Sequence, residues 1–231
     1  MVQHIDEHAV AALGAYYSRV LPRGGRVLDL MSSWTSHFAP GAGADKSDGH
    51  FAHVAAVGMR ADEMSANGAL HEYAVADLNA SPSLAMHADA SFDAVVCSVS
   101  VDYLARPLEV FAEVHRVLKP GGLAVFTWSN RMFPTKAIAA WREASEPGRL
   151  WICAAYLHYT TSGGHTSGGH TSGFSPPVGV DLSPHPGRSD PLYAVSARKL
   201  DAPIAYHGTQ PRDTSDTHDK TNRHDQAKTE L

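Results

Sequence analysis

Cysteine is nearly absent: Cys97 and Cys153 are the only two in 231 residues. Both stand in apolar surroundings. That argues against a disulfide framework or a cysteine metal cage and for two buried thiols in a reducing compartment. Basic residues are also short, with 19 Lys and Arg against 24 Asp and Glu and a formal net charge of −5. No basic block stands out, so no nucleic-acid partner is expected. No apolar run approaches the roughly 18–20 residues needed to cross a bilayer. The opening M-V-Q-H-I-D-E-H lacks the basic start and apolar stretch of a secretory signal. These absences predict a soluble, cytoplasmic protein without a membrane partner; an organellar site follows only if a targeting segment has been trimmed.

One further absence is local. From Arg26 to Phe38 the chain reads R-V-L-D-L-M-S-S-W-T-S-H-F. A short apolar strand reaches a carboxylate at Asp29 and then turns, which is how a nucleotide-binding α/β domain opens. The glycines expected in that turn are missing, and small hydroxylated residues stand there instead.

What is present forms a core, since 43% of the residues are hydrophobic. Val10, Leu13, Tyr17 and Val20 fall at helical spacing after Asp6, a suitable N-cap. Strands are predicted at Arg26–Leu30, His53–Val57, Glu72–Ala76, Phe92–Val99 and Leu123–Trp128. The fourth is almost unbroken in its apolar character, as in a strand buried on both faces of a parallel sheet. Helices are predicted over A-D-E-M-S-A-N (residues 61–67), Pro107–Leu118, Pro134–Ala144 and Leu150–Tyr159. Strand and helix alternate, which predicts an open, mostly parallel α/β sheet.

The character then changes. Residues 161–173 read T-S-G-G-H-T-S-G-G-H-T-S-G, a repeated five-residue unit expected to behave as a flexible insert. The strand candidates Val178–Leu182 and Leu192–Ala197 follow as an antiparallel addition at the sheet edge. The domain is expected to span residues 1–200, and the polar stretch 201–231 to be a disordered tail.

Ligands of open parallel sheets sit beyond the strands' C-terminal ends. The residues to weigh are therefore Asp29, Ser32, Ser33 and Trp34; Gly58; Asp77 and Leu78; Ser98; and Ser129 to Arg131. Two acids and several hydroxyls, with no phosphate-binding lysine, suit a ligand bearing amino and hydroxyl groups. Each residue has a plainer reading beside the functional one. Asp29 and Asp77 also suit turns, Trp34 suits packing, His37 suits a structural histidine, and Arg131 suits a solvated surface. No metal site is expected, because two histidines on a Gly/Ser repeat bind weakly.

V-L-D-L, V-A-D-L-N, S-F-D-A-V-V-C-S-V-S-V-D-Y-L and H-R-V-L-K-P-G-G-L-A-V-F-T occur in that order. This order resembles the class I S-adenosylmethionine-dependent methyltransferases, and most closely the type 11 group. D-P-L-Y-A-V-S-A-R-K is similar to the final strand of that family, and D-L-M-S-S-W to a stretch in one of its branches. The resemblance implies a Rossmann-like sheet of seven strands, mostly parallel, with an antiparallel last strand. It implies S-adenosyl-L-methionine as cofactor and a small molecule as methyl acceptor. Asp29, with Ser32 and Ser33, would hold the methionine end, Asp77 and Leu78 the adenine, and Ser98 the path of the methyl group. Asp102 and Tyr103 would approach the acceptor, with Trp34 and Arg131 at the substrate mouth. His37 and Tyr103 are the candidates for an optional general base.

Two departures mark this chain. Met31, Ser33 and Thr35 occupy the glycine positions of the first motif, and Gly58 replaces the acid that ends strand two. Asp62 and Glu63 are the acids nearest to that vacancy. A ligand without phosphates asks less of a bare backbone, so the missing glycines weigh less than they would against a dinucleotide. Two functions rival methyl transfer. One is a binding module on the same fold that has lost tight cofactor binding. The other, a nicotinamide oxidoreductase, lacks both G-x-G-x-x-G and the strand-two acid.

Overall fold

The computed structural model describes residues 3–39, 50–160 and 169–207. Helix α1, Glu7–Val20, starts where Asp6 accepts a hydrogen bond from the Ala9 amide at 2.9 Å. Strand β1 (Gly25–Leu30) follows, then β2 (Phe51–Gly58), α2 (Ala61–Ser65), β3 (Glu72–Val75) and β4 (Phe92–Ser98). A 3₁₀ turn, Val101–Tyr103, leads to α3 (Pro107–Val117) and β5 (Leu118–Trp128). Helices α4 (Ala139–Glu143) and α5 (Glu146–Tyr159) precede β6 (Gly169–Phe174), β7 (Val178–Asp181) and β8 (Tyr193–His207).

Among the described residues eight strands form the sheet, in the order β3-β2-β1-β4-β5-β8-β6, with β7 also on β8. Strands β1 to β5 pair in parallel, and β8 runs antiparallel to β5, β6 and β7. The expected sheet, mostly parallel with an antiparallel last strand, is observed, with eight strands among the described residues in place of the seven implied. β1 and β4 lie side by side where the strand order reverses, so the crevice of this fold opens at their C-terminal ends.

Alternation along the strands divides the core in two. Leu28, Leu30, Val95, Cys97 and Phe126 face α3 and α5, where Phe111 stacks on Phe126 at 4.1 Å between centroids. Val27, Ala94, Val96 and Val125 face α1 and pack with Leu13 and Tyr17. By the same alternation Asp29 falls on the α1 side, a carboxylate at the end of an apolar face.

Three elements differ from expectation. The helix predicted over Pro134–Ala144 is a turn followed by the short α4. The Phe133 carbonyl accepts from the Lys136 and Ala137 amides, and the Ile138 amide is claimed by the Asp102 carbonyl at 3.1 Å. That tertiary bond holds Ile138 extended and delays the helix. Helix α5 starts four residues earlier than predicted, because Ser145 caps it and Pro147 fits its first turn. Strand β8 continues past residue 200 to His207, where β6, which includes the end of the five-residue repeat, pairs with it. The rest of the repeat, 161–168, and the tail 208–231 lie outside the described residues.

The polar segment before β4 is tied down despite its composition. Arg116 donates to the Leu84 and His87 carbonyls, both at 3.0 Å, and to Glu113 and Asp89. Glu113 in turn accepts from the Leu84 amide at 2.6 Å, and the Leu84 side chain is fully buried.

Candidate functional site

Where β1 and β4 end, a cleft of about 400 Å³, open mouth included, is lined by Asp29, Met31 to Thr35, His37 and Ser98 to Ser100. Gln3 and His4, just ahead of α1, close one side.

Asp29 sits at the base of the cleft, 1% exposed. Its Oδ2 accepts from the Ser32 hydroxyl at 2.6 Å. Burial pushes its pKa up to about 7, against the opposing pull of the Ser32 and Ser36 hydroxyls. The group is therefore a carboxylate held ready to ionise beside a positive ligand.

The turn from Met31 to His37 stands without glycine because its surroundings hold it. The Ser32 amide donates to the Val57 carbonyl at 3.0 Å. Asn67, itself buried, donates to the Ser33 carbonyl at 3.0 Å and to the Ser36 hydroxyl at 2.9 Å. The Ser33 hydroxyl donates to Glu63 Oε2 at 2.5 Å. Met31, His37 and Val99, all lining the cleft, carry positive φ of 55°, 55° and 45°. A left-handed conformation costs a non-glycine residue roughly 1–2 kcal/mol, so these bonds must offset it.

Gly58 accounts for the missing strand-two acid. A Cβ built there would meet the Ser32 carbonyl oxygen at 2.3 Å and Met64 Sδ at 2.8 Å. The loop backbone itself occupies the space that a side chain at position 58 would need.

The structure gathers Asp29, Ser32, Ser33, Trp34, His37 and Ser98 around one cleft. It does not bring Asp77, Leu78, Asp102, Tyr103 or Arg131 to that lining. Asp77 is exposed, and its Oδ1 accepts from the Asn79 and Ala80 amides at 2.9 and 3.3 Å, an Asx turn that leaves Oδ2 without a partner among the described residues. The Leu78 side chain belongs to the core on the α3 side. Asp102 is 4% exposed, its Oδ2 has no hydrogen-bond partner, and burial raises its pKa to about 7. The Tyr103 hydroxyl accepts from the Phe133 amide at 3.0 Å, and burial raises its pKa to about 12, so it stays protonated at neutral pH. Arg131 is largely exposed and stands 3.7 Å from Asp190. Burial lowers the His37 pKa to about 4, which makes it neutral at pH 7 and a weak base.

Several partners escape sequence reasoning. Tyr17 reads as a core position of α1, yet its hydroxyl lies 2.8 Å from Ser98 Oγ. A polar tip at an apolar helical position was the available signal. Asn67 reads as the last residue of a short predicted helix, and nothing local announces that it braces a loop more than thirty residues earlier.

A model of the methyltransferase domain family matches residues 41–126. The chain is 43% identical over 61 residues to thiol S-methyltransferase TMT1B of Rattus norvegicus, a match covering 26% of this chain and 25% of that one. It thus spans about a quarter of the length of the curated relative it matches. Among solved structures, an S-adenosylmethionine-dependent methyltransferase of Aquifex aeolicus superposes with a TM-score of 0.53 at 15% identity, covering 84% of this chain and 92% of that one. The Haemonchus contortus phosphoethanolamine N-methyltransferase 2, in complex with phosphomonomethylethanolamine and S-adenosylhomocysteine, gives 0.53 at 13% identity, covering 83% and 52%. The chain has the class I methyltransferase fold.

In this methyltransferase fold the cleft chemistry fits the amino-acid end of S-adenosylmethionine. A carboxylate faces inward to meet an ammonium or sulfonium charge, and the Ser32, Ser33 and Ser100 hydroxyls, which donate to Asp29, Glu63 and the Ser98 carbonyl, turn acceptor lone pairs toward the same charge. Cys97 and Cys153 are both free and buried. Among the described residues no helix is long and apolar enough to cross a membrane.

Proposed function

We propose that the chain transfers a methyl group from S-adenosyl-L-methionine to an oxygen, nitrogen or carbon nucleophile of a small molecule. The observation that carries this reading is the buried carboxylate of Asp29 at the switch point of a methyltransferase-fold sheet, facing a hydroxyl-rich cleft. When bound, the cofactor supplies an already activated methyl group. The protein's part is to align and desolvate, which can supply roughly 7–11 kcal/mol.

Asp29 accepts from the ligand's ammonium, beside the Ser32 and Ser33 hydroxyl oxygens, whose own hydrogens go to Asp29 and Glu63. Asp77, outside the cleft lining, receives the adenine amino group through Oδ2, with Leu78 packing beside the ring. Ser98, held by Tyr17, borders the path of the methyl group. Trp34, Asp102 and Arg131 stand on the acceptor side. His37, neutral at pH 7, is the candidate base inside the cleft; Tyr103 serves as a donor or a wall, since its proton is held. Two buried free thiols agree with a reducing, cytoplasmic compartment.

A second reading has its own support. The strand-two position is filled by the loop carbonyl, and Asp77 is partly used by its own turn, both of which suit a binding module on this fold that has lost tight cofactor binding. Calorimetric titration of the folded chain with S-adenosylmethionine and S-adenosylhomocysteine separates the two. Methyl transfer requires saturable heat with both ligands; the binding module predicts none at high ligand concentration.

A further inference from the structure

Position 58 and the loop opposite it form one interlocked unit. Even an alanine at Gly58 would place its Cβ 2.3 Å from the Ser32 carbonyl oxygen, so the loop can lie where it does only because strand two ends without a side chain. The same loop presents the Ser33 hydroxyl to Glu63 Oε2 at 2.5 Å. Glu63, five residues beyond Gly58 in the first turn of α2, therefore reaches back to a residue that lines the cleft. Its other oxygen, Oε1, is 3.2 Å from Arg60 Nε, an ion pair that limits its swing. Its charge also reaches His4 on the opposite wall: burial lowers the His4 pKa, and Glu63 opposes that shift. Asp62, the other acid nearby, turns outward to Arg60 Nη2, and its side chain is 66% exposed.

We propose that Glu63, on the helix that follows the side-chain-free strand end at Gly58, binds the vicinal hydroxyls of the nucleoside sugar. The inference rests on the cofactor reading above. An ionised carboxylate has about four acceptor sites. Ser33 and Arg60 use one on each oxygen, which leaves one on each for the two hydroxyls of a diol. In this arrangement the loop is exchanged against the acid: glycine has moved out of the loop and into the strand end, and the acid has moved onto the helix.

The exchange predicts behaviour opposite to that of a site that has simply lost its acid. Binding of S-adenosylhomocysteine and of its 2′-deoxyribose analogue would be measured by calorimetry on the full chain and on Glu63→Gln, Asp62→Asn and Gly58→Asp. The parent and Asp62→Asn should prefer the ribose form by about tenfold, the size of one charge-assisted hydrogen bond. Glu63→Gln keeps an acceptor for Ser33 and should lose most of that preference. Gly58→Asp should weaken both ligands, because it expels the Ser32 carbonyl. If Glu63→Gln retains the parental preference, or Gly58→Asp tightens binding, the inference is overturned while the cofactor reading stands. A parent that binds neither ligand overturns both. The preference is a ratio within each protein, so a change in the folded fraction does not alter it.

Discussion

At the residue scale, Asp29 couples stability to pH and to ligand. Its folded pKa of about 7 lies above the ordinary 3.8, so the folded state retains a proton that the unfolded chain releases. Stability from this group is complete below about pH 4 and is lost as the pH rises to about 7. Asp102, with its pKa raised to about 7, adds to the loss in the same window. The ligand-free melting temperature should therefore fall between pH 4 and 7 and level off above. Asp29→Asn should flatten that fall and raise stability at pH 8, by up to roughly 4 kcal/mol for the full shift. Parallel melting profiles of parent and variant across this range would contradict the assignment. A cationic ligand favours the ionised carboxylate, so binding near pH 6.5 should release a proton. Calorimetry in buffers of different ionisation enthalpy reads that release directly. The position of Asp29 was legible because a strand ending in an acid is a sequence pattern. The burial that raises its pKa was not, since α1, which covers that face of the sheet, comes from another part of the chain.

At the element scale, the strongest apolar strand and the helix that covers it were the most legible features. β4 and α3 fall within a residue or so of the pattern read from hydrophobic spacing. Phe111 is fully buried and stacks on Phe126, so Phe111→Ala should cost about 3–5 kcal/mol in denaturant unfolding. The region from Pro134 to Ala144 was misread because helix propensity lost to one long-range bond, between the Ile138 amide and the Asp102 carbonyl. The segment before β4 looked like an ordinary polar loop, and its anchor, Arg116, lies on a later helix. Arg116→Ala should speed amide exchange and proteolytic cutting between residues 79 and 90, with little change at β1 or β4. Uniform protection across both regions would show that Arg116 is not the anchor.

At the scale of the whole molecule, strand and helix alternation carried the fold class, and the order of motifs from V-L-D-L to L-A-V-F-T carried the resemblance. Neither could reveal how closely the first two strand ends approach. A glycine at position 58 is explained only by a carbonyl from a loop 26 residues earlier, a contact that exists only once β1 and β2 pair. The pairing of β6 with the far half of β8 was equally hidden, because Gly/Ser/Thr composition and a polar tail suppress any strand signal. The central claim is that the cleft beside Asp29 binds S-adenosylmethionine, and titration of the folded chain with S-adenosylhomocysteine tests it most directly. One-to-one binding that Asp29→Ala weakens by about tenfold or more is the predicted result. No heat from a folded parent, or equal binding by the two proteins, would contradict it.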